Sequence, residues 1–251
     1  MKKYFLFLFA ALMSTPVFAY DFNADGIQDT LIYSSSSFTI KHNRVGVAAS
    51  VVGVSAGWIT MTPIDTDGVA GDEVAVLYRG SVTFYHDKTK TSRSKFISSS
   101  SGTNPWTVAS YHGVDAVGGA ELVLIESNGG QYVQYEIVHD SAAGNDYYNT
   151  YRLQQGNVSV FFAQLDSFAG EEIFAIENNL GGYSPSNVYH NRTKTATNQL
   201  YTYAGWGSVY FQDIAGLGRN QIAWFYPNGI PTKAPYHTMT LDEQTGTYRY
   251  Y

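Results

Sequence analysis

The chain contains no cysteine. No disulfide can staple it, so a fold of this length must rest on its core or on bound metal. Charge is sparse, at 14% of residues, and no long charged helical stretch occurs. Basic residues are the minority, 15 Lys and Arg against 21 Asp and Glu. That balance argues against nucleic acid and against anionic membrane surfaces as partners. No apolar run reaches membrane-spanning length, so no membrane insertion is expected. Phosphate-cradling glycine loops, zinc-ligand spacings and dinucleotide fingerprints are also missing.

The longest apolar stretch, Tyr4 to Met13, follows Lys2 and Lys3 and precedes Val17-Phe18-Ala19. A positive start, a short apolar run and a small terminal residue read as a secretory signal peptide cut after Ala19. Residues 1–19 are therefore set apart as a leader, and 20–251 as one domain, secreted or periplasmic. Losing the two lysines takes the formal charge from −6 to −8. What the remainder has in quantity is Tyr, Gly, Ser, Thr and Val, the residues of strands and turns.

A repeat organises them. Five times a glycine turn is followed by an acid or amide and then four apolar residues. The anchors are Asp29 before TLIY, Glu73 before VAVL, Glu121 before LVLI, Glu172 before IFAI and Gln221 before IAWF. They stand 44, 48, 51 and 49 residues apart. Fifteen residues ahead of four of them come Trp58, Trp106, Asn157 and Trp206. Between 13 and 18 residues after the anchors come His42, His86, His139, His190 and His237, five of the six histidines.

Each unit reads as four short strands. The run after the anchor is apolar at consecutive positions, as a strand buried on both faces must be. Units of about 40–50 residues with four strands match propeller blades. The expected fold is all-β, a five-bladed β-propeller of four-stranded repeats at about 20–57, 58–105, 106–156, 157–205 and 206–251. Counting back fifteen from Asp29 lands on Ser14, inside the leader. The first blade is thus incomplete unless another segment fills it.

The most specific motif is DFNADGIQD. Asp21, Asn23, Asp25 and Asp29 supply oxygens at positions 1, 3, 5 and 9, Ile27 a carbonyl at 7, and Gly26 the turn at 6. That pattern suits Ca²⁺, which takes several hard oxygens. A second loop keeps Asp65, Asp67 and Glu73 but has Val69 at position 5, a weaker metal site. In these features the chain resembles the FG-GAP/VCBS repeats, the calcium-loop β-propeller family. The resemblance spans the mature chain as a pattern, although only the first loop is complete and the Phe-Gly and Gly-Ala-Pro tripeptides are absent. It implies a Ca²⁺-bound propeller and, for exported members, a role in adhesion.

His42, His86, His139, His190 and His237, with Trp58, Trp106 and Trp206, allow two readings. They could line one equivalent ligand pocket per blade, or lock the blades together. No catalytic residue is assigned. The anchor acids repeat too regularly for the two unequal carboxylates of a glycosidase, and Gly53-Val-Ser-Ala-Gly57 lacks the context of a nucleophile elbow. His112 is the one histidine off register. The expected function is a non-catalytic exported binding module for a glycan or cell-surface ligand. A polysaccharide hydrolase or lyase, or a periplasmic protein-interaction scaffold, stays open beside it.

Overall fold

The computed structural model describes residues 20–97, 106, 108–127, 133–141, 144, 146–149, 157–178, 182–197 and 200–251. The leader expected at 1–19 lies outside the described residues. Within them every regular element is a β-strand, and no helix is long and apolar enough to cross a membrane.

The strands fall into five antiparallel sheets, each with its strands in chain order. The first holds β1 (Thr30–Tyr33), β2 (Ser37–Lys41) and β3 (Ser50–Gly53). The second holds β4 (Trp58–Ile64), β5 (Glu73–Tyr78), β6 (Ser81–His86) and β7 (Thr91–Phe96). In the third are β8 (Val108–His112), β9 (Glu121–Ser127), β10 (Val133–Val138) and β11 (Asp146–Asn149). The fourth contains β12 (Asn157–Ala163), β13 (Glu172–Asn178) and β14 (Tyr183–His190). Its outer edge is shared by β15 (Thr195–Ala196) and β16 (Leu200–Tyr203), which pair with opposite ends of β14. The fifth comprises β17 (Ser208–Gln212), β18 (Gln221–Phe225), β19 (Thr238–Asp242) and β20 (Thr247–Tyr250).

Side chains alternate across a strand, and here both faces find a neighbour. Val74 and Val76 of β5 pack with Phe38 and Ile40 of the first sheet. Ala75 and Leu77, facing the other way, pack with Leu122 and Leu124 of the third. The third seam gathers Val123, Ile125 and Ile137 with Ile173, Ala175 and Tyr189, and Tyr135 stacks on Tyr189 at 5.4 Å. The fourth gathers Phe174, Ile176 and Val188 with Ile222, Trp224, Met239 and Leu241. Each such side chain, fully buried, stabilises by about 1.5–3 kcal/mol. This is why the post-anchor runs are apolar at successive positions. Among the described residues, no hydrophobic cluster joins the fifth sheet to the first.

The first sheet is the one that lacks a strand before its loop. Among the described residues, Tyr20, bridged to Asp29, stands in that place. Its TLIY run also breaks the burial rule, with Ile32 51% exposed. Among the described residues, the first sheet shares a hydrophobic cluster with the second sheet alone.

Candidate functional site

Four of the five anchor loops sit between the first and second strands of their sheets and the first precedes β1, and one hydrogen-bond scheme builds the first four, the fifth anchor bonding position 3 instead. The anchor side chain reaches back to the backbone at loop position 2. Asp29 Oδ2 accepts from Phe22 N–H at 3.2 Å, Glu73 Oε2 from Thr66 at 2.8 Å, Glu121 Oε2 from Val114 at 2.9 Å and Glu172 Oε2 from Leu165 at 2.6 Å. In the fifth loop Gln221 Oε1 accepts from Ala215 N–H at 2.9 Å. The position-3 side chain closes an Asx turn on the N–H two residues on: Asn23 on Asp25, Asp67 on Val69, Asp115 on Val117 and Asp166 on Phe168.

Successive loops also touch. The N–H at position 8 donates to the position-1 carbonyl of the loop before it, from Asp72 to Asp21, Ala120 to Asp65 and Glu171 to Gly113. Position 7 is glycine at each of these joints. Gly71, Gly119 and Gly170 all have φ between +106° and +119°, and a Cβ on Gly119 would stand 2.6 Å from the backbone of Thr66.

Four of the five histidines occupy one place, opposite the anchor on the third strand. Three of these imidazoles, those of His42, His86 and His190, span a seam between sheets. His42 Nδ1 lies 3.1 Å from Asp29 Oδ2, and its Nε2 lies 3.2 Å from Asp87 of the next sheet. His86 faces Glu73 at 3.4 Å and Asp67 at 3.5 Å through Nδ1, and Asp140 of the next sheet at 3.1 Å through Nε2. His190 does the same with Glu172, Asp166 and, across the last seam, Glu243 at 3.2 Å. At the third seam Asn191 replaces the acid. There His139 Nε2 turns to Asp146 at 2.9 Å, and Lys194 of the next sheet binds that same carboxylate.

The charges follow from this packing. Asp140, then Glu73, raise the His86 imidazole to about 10 against the opposing effect of burial. Burial works against His190 too, but Glu172 and Glu243 outweigh it and hold that ring at about 10. Both are imidazolium at neutral pH. Burial pushes Glu73 upward, and its bonds to His86 and Thr66 N–H oppose the shift.

His237 departs from the expected register. Gln221 stands opposite Asp242 across β18 and β19, next to the Ile222–Leu241 pair. Asp242 therefore holds the histidine place, joined to Arg219 at 2.8 Å. His237 lies five residues earlier, its Nδ1 2.9 Å from the Tyr226 carbonyl and its ring against Phe225. The missed signal is the hairpin HNRVGV, HDKTKT, HNRTKT and DEQTGT, which aligns Asp242 with His42, His86 and His190. Asp87, Asp140 and Glu243, the acids across the seams, were also missed, though each directly follows the repeat position.

The tryptophans mark the opposite end of the seams. Trp58 Nε1 donates to the Ser35 carbonyl of the preceding sheet at 3.2 Å, and Trp206 Nε1 to Ser184 at 3.2 Å. Trp106 packs into the cluster between sheets two and three. The Gly53–Gly57 segment connects β3 to β4 with no helix after the serine.

For a cation, the loops differ. In the first, Asp21 accepts from Asp25 and Gly26 N–H, and Asp25 from Ile27 N–H. Asp29 Oδ1 is buried and has no hydrogen-bond partner. That orphan oxygen is one donor for a hard cation, but Asp21, Asp25 and Asp29 are not among the groups whose ligand atoms converge. In the second, oxygens of Asp65, Asp67 and Glu73 converge within 4.8 Å. Asp67 also converges with His86 and Asp140, and the groups of the third and fourth loops, Asp115–Glu121–His139 and Asp166–Glu172–His190, likewise include a repeat histidine.

Two features break the repeat. His112 Nδ1 lies 2.8 Å from Glu171 and its ring stacks on Phe162 at 3.4 Å. On the last two sheets, aromatic rings gather at the surface. Tyr183 and Tyr201 are 54% and 55% exposed, and Tyr183 lies 5.5 Å from Tyr203. Thr232 donates to Tyr203 Oη at 3.3 Å, tying this group to the segment that carries Tyr236. Tyr236 lies 6.3 Å from Tyr250, over which Lys233 sits at 5.1 Å. No family model matches the chain, and no curated protein matches it.

Proposed function

We propose that this is an exported, non-catalytic binding module for glycans, built on a five-bladed β-propeller of the FG-GAP/VCBS kind and holding structural Ca²⁺. The exposed rings of Tyr183, Tyr201 and Tyr236, beside the half-buried Tyr203 and Tyr250, carry the ligand assignment. Tyrosine presents a flat apolar face for a sugar ring and a hydroxyl for its polar rim. The repeat histidines and tryptophans, engaged at the seams, are assigned to blade locking. A glycan array on the processed protein should give binding that Tyr183→Ala and Tyr236→Ala each weaken at least about tenfold. Their melting temperatures should stay at the parent value, because both rings are exposed. An array without a single hit ends the glycan assignment.

Calcium is assigned to Asp21, Asn23, Asp25, the Ile27 carbonyl and Asp29, with Asp65, Asp67 and Glu73 as a weaker second site. A ligand bound only by the folded state, at one hundred times its Kd, adds about 2.7 kcal/mol. Chelator should therefore lower the melting temperature of the parent and leave that of Asp25→Ala largely unmoved. Identical parent curves with and without chelator would reject the ion.

The His112–Glu171 pair favours a second reading, a polysaccharide-active enzyme with His112 as a base oriented by Glu171. Turnover of a polysaccharide that His112→Asn abolishes would establish it over the binding module.

A further inference from the structure

The hairpin between β18 and β19 departs from the repeat. Twelve residues, 226–237, join those strands, whereas two join β5 to β6 and three join β1 to β2. It carries Pro227, Pro231 and Pro235, three of the seven prolines in the chain. Tyr226 and Ile230 are buried and anchor it in the seam between the fourth and fifth sheets. Ile230 N–H donates to the Tyr236 carbonyl at 2.9 Å. Lys233 N–H donates to Ile230, and Tyr236 N–H to Lys233, each at 3.0 Å. These bonds fix the backbone from which the exposed Lys233 and Tyr236 project.

The charge around this hairpin has one sign. No Asp or Glu occurs between Glu177 and Asp213, or between Asp213 and Asp242, although acids outnumber bases over the chain. The Lys and Arg of those two stretches are Arg192, Lys194, Arg219 and Lys233. Lys194 binds Asp146, Arg219 binds Asp242, and Arg192 lies over Phe168 at 3.9 Å. Among the described residues Lys233 has no acid partner, and its ammonium stands 5.1 Å from the centre of the Tyr250 ring. The nearby Tyr251 backbone oxygen is taken up by His237 and Thr238 N–H.

From this placement, and resting on the glycan reading above, we infer that the tyrosine group selects anionic saccharides. A sugar ring laid on Tyr236 brings its carboxylate or sulfate to Lys233. Covering the tyrosine excludes water beside the ammonium, and a charge pair strengthens as water leaves. A neutral sugar covers the same rings and leaves the ammonium unpaired.

A glycan array that sets each neutral oligosaccharide beside its uronate and its sulfated counterpart tests this on residues 20–251. A charged member should bind at least about tenfold more tightly than its neutral counterpart, as a hydrogen bond to a charged group allows. Salt at about 0.5 M should erase that preference. Lys233→Gln should lose it and Lys233→Arg should keep it. Preference for the uronate would identify a carboxylate as the partner of Lys233, and preference for the sulfated form a sulfate. Equal binding of neutral and charged members would overturn the inference and leave the glycan reading standing. So would a preference that survives in Lys233→Gln. An array without any hit would remove both.

Discussion

At the residue scale, the loop glycines show how one atom fixes the spacing between sheets. Gly119 has φ +106°, and a Cβ there would stand 2.6 Å from the Thr66 carbonyl carbon. Gly26 has φ +79° with nothing within 4 Å. Both positions strain an L side chain, but only the first also forces two loops apart. Gly119→Ala should lose more than about 3 kcal/mol in urea unfolding, and Gly26→Ala only about 1 kcal/mol. Equal losses would mean that the joint between loops contributes nothing. The third loop holds two adjacent glycines, Gly118 and Gly119. In the structure Gly118 lies against Gly68, and Gly119 takes the positive φ. Two adjacent glycines look alike in sequence, and only the contact with the neighbouring loop separates their roles.

At the element scale, the second strands were legible because burial on both faces leaves consecutive apolar residues, as in β5, β9 and β13. The seams were legible only by half. A histidine every four dozen residues signals a repeated place, but its partner across the seam belongs to the next unit, and spacing within one unit cannot reveal it. That partner gives the seams a pH dependence. His190 titrates near 10 in the folded state, above an ordinary value of about 6.5. A raised base stabilises fully below its unfolded pKa, and the contribution disappears as pH climbs through the folded one. The melting temperature should therefore fall between about pH 7 and 10. The fall should be smaller in His190→Gln, which should be less stable than the parent at pH 6.5. Parallel curves for parent and variant would show that His190 bears no charge in the fold. His86, held near 10 by Asp140 and Glu73, acts in the same direction two seams earlier.

At the scale of the molecule, all four seams share an apolar cluster and most add a loop joint and a histidine–acid contact, and the two end faces do not. Where position 7 is glycine at three of the joints, the first loop presents Ile27, 40% exposed. Asp242 stands in place of a histidine in the fifth sheet, and Asn43 follows His42 where an acid follows His86 and His139. A ring closed through these faces would lack the apolar cluster found at all four seams, the loop joint found at three of them and the histidine–acid contact found at three. Chains of repeats coupled to their neighbours lose structure first where a neighbour is missing. Native-state exchange should accordingly rank β5, β9 and β13 as slowest, with β1 and β18 opening at lower free energy. Adding denaturant below the midpoint should then release the end sheets before the middle three. If β1 and β18 instead exchange only through global unfolding, at the same free energy as β9, the first and fifth sheets are joined in solution by a seam as strong as the rest.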